Sequence, residues 1–155
     1  MAEFYSRKPT RIPNFDYSSD HYYFVTICTH EMSCFFGIPG KLNIYGEIAE
    51  KDLKNMEHHF EHLELIKYVV MPNHVHAIIR IGCDQTAGKR PNLNTVVGLY
   101  KSGVTRKIRE IQPGMIVWQR SFHDHVIRNQ QGYEKIWTYI ENNPLKWEED
   151  CFYRE

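Results

Sequence analysis

An excess of either charge is missing from this chain of 155 residues, in which 19 Lys and Arg balance 19 Asp and Glu and the pI is near 7.1. Proteins that coat long duplex DNA carry a broad basic face, so any nucleic-acid surface here must be local. No apolar run approaches the roughly 18 residues that span a bilayer, and Met1 to Thr10 lacks the apolar stretch of a signal peptide. Cys28, Cys34, Cys83 and Cys151 show neither C-x-x-C pairing nor disulfide-like clustering. Together these absences predict a reduced, cytoplasmic chain with no membrane segment. Internal repeats, low-complexity tracts and a second domain are missing too.

A hydrophobic fraction of 42% with 14% aromatic and 25% charged residues is that of a folded protein. The length suits one domain with an ordinary core. The expected layout is a single domain over 1–155, its first ~20 residues an extended arm and its last ~10 a tail. Ten tyrosines and three tryptophans suit base stacking and an aromatic core equally well.

Periodicity sets the order of elements. His21 to Thr29, rich in aromatic and β-branched residues, predicts a first strand. Ser33 to Gly46 is a glycine-rich loop with room for a small hairpin, and from Glu47 to near His62 Ala49, Leu53, Met56, Phe60 and Leu63 recur at helical spacing. Leu65–Met71 and His74–Gly82 predict a hairpin turning at Pro72-Asn73. Leu93, Val96, Val97, Tyr100, Val104, Ile108 and Ile111 then mark one face of a long helix, which Pro113-Gly114 stops. Ile116 to Arg128 predicts a long fourth strand, Gly132 to Asn142 a last helix ended by Pro144, and Glu148-Glu149-Asp150 a solvated acidic tail. The order β-α-β-β-α-β with an extra C-terminal helix is that of an α+β, ferredoxin-like antiparallel sheet.

Strand alternation then singles out a site. Val75, Ala77, Ile79 and Ile81 share the side that belongs under the helices, which leaves His74 and His76 on the open face of a central strand. Residues two apart on a strand lie roughly 6–7 Å apart at Cα, from where two neutral imidazoles can converge on one cation. Read alone, the pair is also compatible with polar residues on a half-exposed strand. His123 and His125 form a rival pair, but in this fold the first strand separates them from His74 and His76 by about 10 Å, so one ion cannot serve both. Asp124 points to the other face and adds no ligand to them. His58, His59 and His62 fall on the outer part of the first helix.

In the last helix Tyr133, Ile136, Trp137 and Ile140 make an i, i+3, i+4, i+7 core stripe. Tyr139 lies about 110° from it, with Asn143 on the same flank. A partly exposed tyrosine is ordinary, yet an amide oxygen at Asn143 can complete a hard or borderline metal shell.

Six stretches, in order and over nearly the whole chain, carry a resemblance: Asp16-Tyr17-Ser18, Tyr23 to Thr29, Met71-Pro72-Asn73-His74-Val75-His76, Tyr100-Lys101-Ser102, Trp118 to His125, and Tyr139-Ile140-Glu141-Asn142-Asn143-Pro144. The sequence resembles the REP-associated tyrosine transposases, a branch of the single-tyrosine HUH transposases. That resemblance implies a metal-dependent, ATP-independent DNA endonuclease and strand transferase, nucleoid-associated, acting on single-stranded, hairpin-forming DNA. His74, His76 and Asn143 match its metal ligands and Tyr139 its nucleophile, which would yield a 5′-phosphotyrosine and a free 3′-OH. The implied ion is Mg²⁺ or Mn²⁺, although imidazole prefers Mn²⁺, Co²⁺ or Zn²⁺ to Mg²⁺ and other divalent ions are expected as adventitious occupants. His123-Asp124-His125 falls in a structural strand motif of the family, and relatives are monomers or homodimers.

DNA contact is expected from Ser102, Arg106 and Arg109 on the outer face of the second helix with Lys101 and Lys107 at its flanks, from Lys89-Arg90, from Arg120, and from Arg7, Lys8 and Arg11. A solvated basic face is the alternative for the helix. Two other functions fit the same residues: a catalytically silent hairpin-binding protein, and a metal-binding protein or hydrolase unrelated to DNA.

Overall fold

The computed structural model describes residues 12, 15, 17, 21–82 and 91–155. Arg7, Lys8, Arg11, Asp16, Ser18, Cys83, Lys89 and Arg90 lie outside the described residues. Within them runs β1 (His21–Cys28), a small hairpin of β2 (Gly37–Ile38) and β3 (Lys41–Leu42), α1 (Ile44–Lys54), α2 (Met56–His59), β4 (Leu63–Met71), β5 (His74–Ile81), α3 (Leu93–Ile111), β6 (His123–Ile127) and α4 (Gln130–Asn142). The main sheet has the order β4-β5-β1-β6 with every neighbour antiparallel, the split βαβ arrangement that the element order predicts.

One face of the sheet carries the core. Tyr23, Val25 and Ile27 of β1 and Val75, Ala77, Ile79 and Ile81 of β5 are buried against Ala49 and Leu53 of α1 and Val96, Val97, Tyr100, Val104 and Ile108 of α3. The Tyr100 hydroxyl donates to the Ala49 carbonyl at 2.9 Å and ties the two helices together. Asn43 caps α1 by accepting from the Gly46 amide at 3.0 Å. Gly46 has to be glycine, because a Cβ there would stand 2.4 Å from the Phe36 carbonyl oxygen.

Three predicted elements end differently. The first helix divides at Asn55, whose amide closes α1 by donating back to Leu53 and Lys51 carbonyls before α2 begins. Ile111, predicted on the buried stripe, is 47% exposed at the last residue of α3. The fourth strand is shorter than its β-prone sequence suggests: Trp118 bridges Thr29, Ser121 then takes a left-handed φ of 65°, and pairing resumes only at His123. Lys101 Nζ holds that kink by donating to the Gln119 and Ser121 carbonyls at 2.7 and 2.8 Å.

The opposite face of the sheet is covered by α4. A second apolar cluster of Ile78, Ile127 and Ile140, with Tyr22, Phe24, Ile66, Val69, Tyr133 and Ile136 against it, docks the helix there. Lys67 of β4 bonds Glu141 and lies under the Trp137 ring. After Asn142 the chain makes a 3-10 turn over Asn143–Glu149 that opens on Pro144, and turns back toward the β4–β5 end of the sheet.

Candidate active site

The β4–β5 hairpin turns on Pro72-Asn73, with Met71 paired to His74. Its two-residue turn is clamped from outside: the Thr29 amide and hydroxyl both donate to the Asn73 carbonyl, at 2.9 and 3.0 Å, and the Phe36 amide donates to the Pro72 carbonyl at 3.0 Å. Strand alternation from this anchored turn puts His74 and His76 on the face under α4, as expected. Both imidazoles are buried, their rings 4.5 Å apart between centroids.

Each ring is oriented through its Nδ1. His74 Nδ1 lies 2.7 Å from Asn73 Oδ1 and His76 Nδ1 lies 2.9 Å from the Thr26 hydroxyl, which leaves both Nε2 atoms buried and, among the described residues, without a hydrogen-bond partner. Asn143, the residue that closes α4, donates from Nδ2 to Asp150 Oδ2 at 2.9 Å, and its buried Oδ1 also lacks a partner. Asp150 Oδ2 lies 4.0 Å from His74 Nε2. Donor atoms of His74, His76 and Asp150 all fall within 4.8 Å of one another.

An orphaned buried polar atom costs about 1–3 kcal/mol, so two orphaned imidazole nitrogens clustered with the Asp150 carboxylate, and the Asn143 amide bonded to that carboxylate, call for a common partner that accepts lone pairs. A divalent cation is such a partner. Two imidazoles, an amide oxygen and a carboxylate form a mixed N/O set of borderline hardness that suits Mn²⁺, Co²⁺ or Zn²⁺ better than Mg²⁺. Protonation agrees: burial pushes the His74 imidazole down to about 4 against the opposing pull of Asp150 and Asn143. Burial, helped by neighbouring His74, holds His76 well below its ordinary range. Both rings are therefore neutral lone-pair donors at pH 7.

Asp150 corrects the expectation of a solvated acidic tail. Glu148 and Glu149 are exposed, but the Asp150 carboxylate is only 2% accessible and also accepts from the Phe152 amide at 3.0 Å. Nothing in the local composition distinguishes it, because the 3-10 turn after Pro144 aims it inward. Asn73, Thr26 and Phe152 were likewise not singled out by sequence, although Asn73 directly precedes His74. The Phe152 ring lies 4.6 Å from that of His74 and 5.8 Å from that of His76, while Asn73 Nδ2 donates to the Phe152 carbonyl at 2.7 Å.

Tyr139 stands on the rim, 41% exposed, its ring 5.3 Å from that of His76 and 6.4 Å from that of Phe24. Burial and then the Asp150 charge raise its phenol above the ordinary value, with the Asn143 amide opposing. Tyr133 instead packs edge-on against Tyr22 at 5.4 Å. Tyr139 lines a cavity of about 410 Å³ together with Lys135, Thr138, Asn142, Asn143 and Lys146. Those lysines were overlooked, although positions four before and seven after Tyr139 share its flank of a helix.

The remaining predicted residues lie elsewhere. His123 and His125 are exposed on edge strand β6, separated from His76 by Thr26, which pairs with both His76 and His123. Ser102, Arg106 and Arg109 are exposed on α3, across the sheet from the histidines. Lys101 is spent on the Ser121 kink, Arg109 Nε donates to the Met115 carbonyl at 2.9 Å, and Lys107 pairs with Asp52. Arg120 is exposed beside that kink.

Residues 21–143 match the family model described as IS200-like transposase. An uncharacterized protein of Haemophilus influenzae strain Rd is 31% identical over 173 aligned positions, covering 98% of this chain and 96% of that one. The fold is shared with a REP-associated tyrosine transposase solved bound to a REP hairpin (TM-score 0.60, 19% identity, 94% of this chain and 74% of that chain). It is shared too with a proposed transposase from Deinococcus radiodurans R1 (TM-score 0.54, 18% identity, 85% and 97%).

Proposed function

We propose that this chain, which belongs to the IS200-like transposase family, cuts and rejoins single-stranded DNA that folds into hairpins, in the manner of the REP-associated branch. The observation that carries the reading is the clustering of His74, His76 and Asp150, with both imidazole Nε2 atoms buried and unpartnered among the described residues, next to a solvent-reachable Tyr139. A structural metal site would have no use for a phenol at its rim.

His74, His76, Asn143 and Asp150 would hold a divalent cation, with Mn²⁺ favoured by the donors and Mg²⁺ by the family. When bound, that ion supplies charge that polarises a phosphodiester and stabilises the departing oxygen. Tyr139 Oη forms a bond to phosphorus as the bond from phosphorus to the 3′ oxygen breaks. The phenolic proton passes to solvent, and the 3′ oxygen takes up a proton to become a hydroxyl. A phosphotyrosine ester keeps the bond energy for rejoining, so no nucleotide cofactor is needed.

A second reading, a hairpin-binding protein that does no chemistry, draws on one contact. Phe152 lies over both imidazoles, so a phosphate reaches their Nε2 atoms only if the tail shifts. Incubating the protein with Mn²⁺ and a 5′- or 3′-labelled hairpin oligonucleotide separates the two. A protease-sensitive covalent adduct and a shortened 3′-OH product are expected from the transferase, and tight binding with intact DNA from the silent protein.

A further inference from the structure

We propose that Lys135 and Lys146 form a paired phosphate seat that positions the DNA backbone against Tyr139, an inference that rests on the strand-transfer reading above. The two lysines approach the nucleophile from different elements, Lys135 one helical turn earlier on α4 and Lys146 in the 3-10 turn beyond Pro144. Both line the cavity that holds Tyr139, Asn142 and Asn143. Both are exposed, and among the described residues neither ammonium has a carboxylate within ion-pair distance. Among the described residues, Lys67 is by contrast engaged with Glu141 and Lys107 with Asp52.

Charge at the cavity decides what it can take. Glu149 and Asp150 also border it, but Asp150 is turned inward onto Asn143 and the histidines, which leaves two free ammoniums against one exposed carboxylate. A phosphodiester brings one negative charge per nucleotide, and the exposed Thr138 hydroxyl and Asn142 amide add neutral hydrogen-bonding groups. A seat on the Tyr139 side of the helix would hold a phosphate next to the attacking oxygen, whereas the basic face of α3 lies on the far side of the sheet. Lys135 and Lys146 are thus positioning residues, acting on where the strand lies and not on bond making.

The test compares the full-length protein with Lys135→Gln/Lys146→Gln and with Lys135→Arg/Lys146→Arg, using a hairpin oligonucleotide with a single-stranded flank. Binding is measured in the Tyr139→Phe background at several salt concentrations, and adduct formation with the intact tyrosine. The glutamine pair should lower the slope of log affinity against log salt by about 1.4, because each single-strand phosphate contact releases about 0.7 counterion. It should also raise the DNA concentration giving half-maximal adduct tenfold or more. Mn²⁺ affinity and melting temperature should stay unchanged, and the arginine pair should restore the slope. An unchanged slope with unchanged adduct formation would overturn the proposal and leave the pair as solvated surface. If the wild-type protein makes no adduct with any hairpin, strand transfer itself falls, and the slope still decides whether these lysines hold phosphate.

Discussion

Asn73 fixes the proton on His74. Both amide hydrogens of Asn73 are donated, to the Met32 carbonyl at 3.2 Å and the Phe152 carbonyl at 2.7 Å, so its Oδ1 can only accept from His74 Nδ1, at 2.7 Å. The imidazole is held as the Nδ1–H tautomer and its Nε2 lone pair faces Asp150 and Asn143. A turn residue thereby sets the electronic state of a strand residue. Because Asn73 also grips the tail, one side chain couples the hairpin, the ligand and the strap over the site.

Asn73→Ala should therefore weaken Mn²⁺ binding by about 10–100-fold, the usual consequence of losing a ligand's outer partner, while the sheet stays intact. Isothermal titration with Mn²⁺ beside far-ultraviolet circular dichroism provides the check. Unchanged affinity would mean that His74 keeps its tautomer without Asn73.

Asp150 changes the expected strength of the site. Three neutral ligands supply no charge and predict weak binding without DNA, whereas a buried carboxylate 4.0 Å from His74 Nε2 adds full Coulomb attraction in a poorly hydrated pocket. Asp150→Asn preserves shape and removes the charge. Mn²⁺ affinity should fall at least tenfold in titrations without DNA, and equal affinity in the two proteins would confine the ligand set to His74, His76 and Asn143.

Acid should destabilise the metal-free protein in a defined window. His74 has a folded-state pKa of about 4 against an ordinary 6.5, and His76 is shifted the same way. The unfolded chain thus binds more protons between these values, and stability rises with pH through the window and is lost as pH falls from 6.5 toward 4. Urea midpoints measured from pH 7.5 to 4.5 should fall more steeply for the wild type than for His74→Gln/His76→Gln. Parallel curves would place the acid sensitivity in other groups.

Tyr139→Phe removes one hydroxyl from a ring that is 41% exposed, so folding, Mn²⁺ affinity and hairpin affinity should stay within about twofold while the covalent adduct disappears. Tyr133→Phe, on the same helix but packed against Tyr22, should cleave at the wild-type rate. Persistent cleavage by Tyr139→Phe would shift the nucleophile to another residue or to an activated water.

Much of this architecture was determined by local sequence, since periodicity is a property of neighbours. Strand alternation around Val75, Ala77, Ile79 and Ile81 placed His74 and His76 on the correct face, and helical spacing separated Tyr139 from Tyr133, Ile136 and Ile140, although Trp137, expected on the same core stripe, is 37% exposed over Lys67. The stripe of α3 and the Pro72-Asn73 turn were legible for the same reason. Where a boundary depended on a single backbone angle, as at Ser121 with its φ of 65°, β-prone composition was misleading.

What only the tertiary structure decided is which distant groups share a few ångströms. Asp150 belongs to an acidic run that reads as solvent-facing, and becomes a buried donor because Asn143 and Phe152 hold the returning tail over β5. Sequence specifies the faces of each element through short-range periodicity, but the convergence of donors from a strand, a helix end and a tail is set by long-range packing, which no local pattern encodes.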